Sequence, residues 1–181
     1  LETWHGSIAT TGDLRDFEIR VADLRHKVDG GNANFQRPLA GKPFDRKSVR
    51  GLFHQAEQQF QFRRYDAATR FYEQSLERDP YHVDALSRLA EIQYRNANYE
   101  KGLEYAHQAL AINAYHPQAN YSTGILLKSL DQPVSALEAF AIASKATGYR
   151  SGSLTQMAEI YLAQNDLYRA TAFAQKAISS D

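Results

Sequence analysis

The feature of this chain that most limits its fold is a repeat with a period of 34 residues. Residues spaced by that period form three columns in which every side chain is small. The columns are Ala56, Ala90, Gly124 and Ala158, then Ala68, Gly102, Ala136 and Ala170, and finally Ser75, Ala109, Ala143 and Ala177. Small residues let two helices approach closely, and the larger apolar residues between the columns fill the space to the next copy. One such helix pair cannot bury its apolar face alone, so the copies are predicted to stack.

The period and the residue types resemble the tetratricopeptide repeat, a helix–turn–helix unit of 34 residues. We place four units at 49–82, 83–116, 117–150 and 151–181. The matching residues of the second unit are Leu86, Leu89, Ala90, Tyr99, Gly102, Ala106 and Ala109. In contrast, Gln55 and Gln59 stand where the family usually has apolar residues, and Pro133 replaces a tyrosine of the turn. The resemblance implies an all-α fold, a right-handed α-solenoid of stacked helical pairs.

Residues 1–29 allow two interpretations. The stretch DFEIRV alternates apolar Phe17, Ile19 and Val21 with charged residues, which is typical of a strand. A longer match at spacings of three and four favours a helix. Its members are Leu14, Phe17, Val21, Leu24 and Val28. Because Gly30 and Gly31 then provide a stop, we expect an amphipathic helix over residues 13–29. A shorter helix is expected before it, carrying Leu1, Trp4 and Ile8, so that residues 1–29 form a degenerate helical pair.

Residues 30–48 are rich in glycine and proline and are predicted to be irregular. Phe35, Leu39 and Phe44 favour an ordered path over a neighbouring helix, and a disordered linker is the alternative. Stretches such as RPLAGKPFDRKSVRGLF and YRSGSLTQMAEIYL also resemble the C-terminal helical part of large bacterial proteins. In those proteins a carbohydrate-active β-sandwich precedes tetratricopeptide units. This second resemblance implies a piece of a longer protein, as does the start at Leu1, with the cytoplasm as the default compartment.

Composition and motifs argue against several function classes. Lys plus Arg and Asp plus Glu each number 21, so the formal net charge is zero, which disfavours nucleic acid and membrane surfaces as partners. The absence of cysteine excludes thiolate metal sites and cysteine nucleophiles. Glu104 and His107 form a single Glu-x-x-His pair, which a solvated helix face explains better than a metal site. Phosphate-binding loops and nucleophile elbows are absent from the sequence, so we predict no catalysis, no metal and no cofactor.

The tetratricopeptide resemblance implies a concave groove lined by the first helix of each unit, and hence a binding surface for a peptide or a helix. The residues predicted to line it are Arg50, Phe53, Glu57, Phe60, Asp84, Ser87, Glu91, Tyr94, Arg95, Gln118, Tyr121, Ile125 and Lys128. Aromatic rings would supply contact area and charges would set the register. The alternative is an inner face that is solvated or filled by the N-terminal segment. Some members of the family hold a carboxylate with Lys and Asn, but those slots here carry Phe53, Glu57, Arg88 and Ser122, which disfavours that ligand.

Two local features complete the expectations. Tyr81, Tyr115 and Tyr149 recur before the first helix of each following unit, and we interpret them as hydrophobic staples rather than as a ligand ladder. Asn98 and Asp166 are placed to cap second helices. Pro133 stands near a helix start.

The sequence therefore predicts a protein-interaction module. The alternative is an accessory helical domain of a larger bacterial carbohydrate-active enzyme. The last helix presents a weakly apolar strip of Thr171, Ala174, Gln175 and Ile178. For this strip we expect cover from a continuing chain or weak self-association into a homodimer.

Overall fold

The computed structural model describes residues 16–21, 24–29 and 45–180, which belong to two compact units that divide after Phe44. In the first unit, β1 (Asp16–Val21) pairs with β2 (Leu24–Asp29) in an antiparallel ladder. The predicted helix over residues 13–29 is therefore wrong. The predicted helix around Leu1, Trp4 and Ile8 and the predicted anchors Phe35, Leu39 and Phe44 lie outside the described residues.

The physical reason for the error is a coincidence of two periods. The register sets Phe17 opposite Val28 and Val21 opposite Leu24, so four positions of the supposed helical stripe become two cross-strand pairs. The strict alternation of DFEIRV is the pattern of a strand, and β-branched and aromatic residues favour it. The shorter pattern thus held the correct information.

Eight helices follow in the described part of the second unit. They are α1 (Val49–Gln61), α2 (Tyr65–Arg78), α3 (Val83–Arg95), α4 (Tyr99–Ile112), α5 (Pro117–Ser129), α6 (Pro133–Ala143), α7 (Thr147–Ala163) and α8 (Leu167–Ile178). Each odd-numbered helix packs on the helix that follows it, and the resulting pairs stack in order. This all-α solenoid confirms the predicted fold class. The first helices of the first three units start at Val49, Val83 and Pro117, whereas α7 starts at Thr147, ahead of residue 151.

The turn inside each pair has the same backbone geometry in all four copies. Arg63, Ala97, Asp131 and Asn165, which are 34 residues apart, have φ angles of 57°, 59°, 56° and 59°. The N–H after each of them bonds back across the helix end, as in Asn98 N to Gln93 O at 2.9 Å, which is the Schellman pattern. A left-handed residue normally favours glycine, so the sequence gave no signal for this device.

The predicted caps are found at the expected helix starts, with one difference. Asp166 accepts a hydrogen bond from the N–H of Arg169 at 2.9 Å, and Pro133 begins α6. Asn98 occupies the N-cap position of α4, but its amide donates to Gln93 Oε1 instead of accepting from the helix. Its predicted capping hydrogen bond is therefore wrong.

The core lies between successive pairs, as the small-residue columns predict. Leu89 and Ile92 of α3 pack with Ala56 and Tyr72 of the first pair. Leu126 of α5 is fully buried with Ala90 and Ala106 of the second pair, the two small residues making room for it. Among the described residues, no helix combines the length and apolarity needed to cross a membrane.

Candidate protein-binding surface

Side chains from the first helices meet on one surface, which we call the first-helix surface (the half-buried and exposed side chains of α1, α3, α5 and α7 that lie next to one another). Its best-defined part is a charged ladder of Glu57, Arg88, Glu91 and Arg95. Arg88 donates from Nε and Nη2 to the two oxygens of Glu57, at 2.8 and 3.1 Å, and from Nη1 to Glu91 at 3.0 Å. Arg95 donates to the other oxygen of Glu91 at 2.8 Å. The ladder therefore fixes four long side chains across two repeat units.

Aromatic rings support this ladder. The guanidinium of Arg88 lies 4.8 Å from the ring centre of Phe60, and that of Arg95 lies 5.6 Å from the ring of Tyr65. Tyr72 donates its hydroxyl hydrogen to Glu57 Oε1 at 2.5 Å. Burial, and then this hydrogen bond, raise the pKa of Tyr72 well above its usual value, so the phenol stays neutral and holds the carboxylate. For Arg88, burial alone would lower the pKa, but the charge of Glu57 outweighs it and the pKa is raised.

A second cluster lies where α5 meets α7. Lys128 donates to Gln156 Oε1 at 2.8 Å and to Glu159 Oε2 at 2.5 Å. The ring of Tyr121 lies 5.7 Å from that of Phe140 and 5.6 Å from that of Tyr149. Burial, and then the charge of Glu159, raise the pKa of Tyr121, so its hydroxyl is a neutral donor or acceptor at physiological pH.

Between these clusters the repeat junction contributes a histidine. His116 Nδ1 accepts from the N–H of Ala119 at 3.3 Å, and Nε2 lies 3.1 Å from Asp84 Oδ1. This arrangement places the imidazole proton on Nε2, from which it is donated to Asp84. Ser87, beside Nδ1, is fully buried and donates to Val83 O at 2.8 Å. The prediction that Ser87 contacts a ligand is therefore wrong, since helix packing covers it.

The remaining predicted residues divide between surface and interior. Tyr94 keeps 38% of its surface exposed, beside the ring of Tyr99. Arg50 is exposed at the start of α1, whereas Phe53 is half-buried and stacks on the ring of His82 at 4.8 Å. Ile125 and Gln118 are half-buried, and the Gln118 amide nitrogen is buried without a hydrogen-bond partner.

The tyrosines of the repeat junction do not behave alike. Tyr81 and Tyr115 are about three-quarters exposed, at 73% and 74%, so the predicted hydrophobic staple is wrong at these two positions. Tyr149 is half-buried against Tyr121, and α7 starts two residues before it. Because α7 begins early, the third tyrosine is drawn into the helix and onto the first-helix surface.

The predicted list of binding residues omitted Arg88, Tyr149, Gln156 and Glu159, which complete the two clusters. Arg88 had a usable signal, because it occupies a slot that other family members use for a ligand. The contacts of Gln156 and Glu159 depend on the register between units, which one repeat does not reveal. Within the described residues, His, Asp and Glu side chains nowhere gather in a group of three that could hold a metal ion.

Stacked helical pairs with a shared turn geometry and a side-chain surface across the first helices define a tetratricopeptide-like helical-repeat protein. Residues 53–162 match the family model of the TT21 fifth ARM repeats domain, and the chain belongs to that family.

Solved structures of three kinds illustrate the similarity of fold. A crystal structure of MamA has a TM-score of 0.66 at 15% identity, over 75% of this chain and 80% of that chain. MamA AMB-1 has a TM-score of 0.57 at 20% identity, over 74% and 79% of the two chains. PilF of Pseudomonas aeruginosa has a TM-score of 0.66 at 14% identity, over 76% and 63%. These neighbours are repeat proteins of a class that generally mediates protein–protein interaction and is generally non-enzymatic. No curated protein matches the sequence.

Proposed function

We propose that the first-helix surface is a groove that binds a segment of another protein, in extended or helical form, without catalysing a reaction. The observation that carries the proposal is the charged ladder of Glu57, Arg88, Glu91 and Arg95, held in place by two aromatic rings. Ordering long side chains costs conformational entropy on binding, and side chains that are already fixed avoid much of that cost.

The two clusters offer complementary contacts to such a segment. Tyr94 and Tyr121 present partly exposed rings, which supply large contact area with few rotatable bonds. Arg95 and Glu159 are exposed beside them, each already holding one ion-pair partner. Charges in such positions select partners and set the register of the bound segment more than they add affinity.

The proposal is tested by selecting peptides against the full chain from a displayed random library and measuring their affinity by titration calorimetry. Tyr94→Ala and Tyr121→Ala are each expected to weaken binding by about 1–3 kcal/mol, the usual scale for aromatic anchors. Tyr168→Ala is the matched control, because Tyr168 lies on the second helix α8 and is 86% exposed.

Circular dichroism of each variant separates loss of binding from loss of folding. Unchanged affinity in both Tyr94→Ala and Tyr121→Ala, with native helical signal, would show that the first-helix surface is not the binding site. A failure to select any peptide would also count against the proposal.

A further inference from the structure

The last helical pair carries an apolar groove that is separate from the first-helix surface. It measures about 480 Å³, lies between α7 and α8, and is lined by Leu162, Ala170, Ala174, Ala177 and Ile178 among others. Ile178 is 79% exposed and Leu162 is 59% exposed, although both side chains are aliphatic. Apolar side chains this exposed and this close together mark a surface that a partner covers.

The earlier pairs show what covers such a groove. Ala158 and Ala174, one from each helix of the last pair, are half-buried. The residues at the same two slots in the earlier pairs are buried: Ala56 and Tyr72, Ala90 and Ala106, and Gly124 and Phe140. In each case the first helix of the next pair lies over them. The second pair has the same two alanines as the last, and there Leu126 of α5 fills the space.

The covering helices share one residue pattern. Three positions of each, spaced i, i+4 and i+7, are buried at the interface. They are Ala85, Leu89 and Ile92 in α3, Ala119, Thr123 and Leu126 in α5, and Ser153, Met157 and Ile160 in α7. The first position is always small, the last is always aliphatic, and the middle one is Leu, Thr or Met.

The opposite end of the solenoid does not carry this pattern. The same three positions in α1 are Gly51, Gln55 and Gln58. A Cβ at Gly51 would collide with the backbone of Asp45 and Arg46, and Gln55 donates to Arg46 O at 2.7 Å. The face of α1 is thus polar and covered locally, so α1 of a second copy is a poor fit for the apolar groove.

We infer that the α7–α8 groove binds an amphipathic helix of a partner protein, which docks as the first helix of a further repeat would. The partner helix carries a small residue, then an apolar residue four positions later, then Ile or Leu three positions after that. The groove continues the three internal interfaces, and its two alanines leave space for an aliphatic side chain where Leu126 lies in the second pair.

The probe for this inference is a synthetic peptide with the α5 sequence, residues 115–131. A hydrocarbon staple at positions 121 and 125 keeps the peptide helical without touching its docking face. Fluorescence anisotropy with the full chain is expected to show saturable binding. The double variant Leu162→Glu and Ile178→Glu is expected to weaken it by at least roughly tenfold, because charges would replace buried aliphatic contacts. A peptide with Leu126 replaced by Asp is expected to lose binding to the same degree.

The control is Val134→Glu, which places the same charge at an aliphatic residue that is 68% exposed on α6. It should bind the peptide normally, as should Tyr94→Ala of the first-helix surface. No binding by the stapled peptide, or equal binding by the Leu162→Glu and Ile178→Glu variant, would overturn the inference. So would a dimer in sedimentation that dissociates in that variant, because the occupant would then be a second copy.

Discussion

The ion pair between Glu57 and Arg88 gives the sharpest test of how the repeat units are joined. Replacing Glu57 with Gln removes the charge but keeps an oxygen that can accept from the hydroxyl of Tyr72. Replacing Arg88 with Met removes the guanidinium but keeps an apolar chain over the ring of Phe60. A double-mutant cycle with these two changes isolates the interaction across α1 and α3.

The structure sets the size of the effect. Both guanidinium–carboxylate hydrogen bonds are short, and each side chain keeps less than a third of its surface exposed. Exposed ion pairs contribute about 0–1 kcal/mol, and hydrogen bonds to charged groups contribute about 1.5–3 kcal/mol. After allowance for solvent screening, we expect a coupling free energy of about 1–2 kcal/mol.

Urea unfolding followed by circular dichroism of the four proteins gives this coupling. The exposed pair Asp166–Arg169 within α8 is the control cycle, and its coupling should be smaller and more sensitive to salt. Additive effects of Glu57→Gln and Arg88→Met, within about 0.3 kcal/mol, would refute a role for the ladder in joining the first two units.

Three further changes test other parts of the fold, each by urea unfolding of the full chain. Leu89→Ala should cost about 2–5 kcal/mol because Leu89 is fully buried between two pairs, and a loss under about 1 kcal/mol would contradict that packing. Ala97→Gly should stabilise by about 0.5–1 kcal/mol because Ala97 has a φ of 59°, and destabilisation would contradict strain at the turn. Burial and then Glu57 raise the pKa of Tyr72, so its contribution to stability is complete below about pH 10 and falls above it by about 1.4 kcal/mol per pH unit. Tyr72→Phe should reduce the alkaline loss by that slope, and an unchanged slope would contradict the raised pKa.

The helical repeats could be predicted from the sequence because packing imposes the same demand in every copy. The slots of Ala68 and Ala90 must stay small wherever two helices touch, so a column of small residues reports the fold directly. The hairpin at residues 16–29 could not be separated from a helix in this way. Phe17, Val21, Leu24 and Val28 satisfy both periods, and strand pairing, a contact between distant positions, decided between them.

The candidate surface was predictable as a region but not as a set of contacts. The repeat pattern placed Glu57, Glu91 and Arg95 on first helices, where they now form the ladder. The partner choices of Arg88 and Lys128 depend on the offset between successive units, which the sequence of one unit does not encode. Burial of Ser87 depends on His116 of the following junction, so its inaccessibility was equally hidden.

The most direct measurement of the proposed function is photo-crosslinking of a selected peptide to the full chain. The peptide carries a benzophenone at its centre, and mass spectrometry then locates the crosslinked residues. Binding in the proposed groove predicts crosslinks to the first helices, on α3 and α5 near Tyr94 and Tyr121, that disappear with excess unlabelled peptide. Crosslinks confined to the second helices α2, α4 and α6, or to the α7–α8 groove, would contradict the first-helix surface as the binding site.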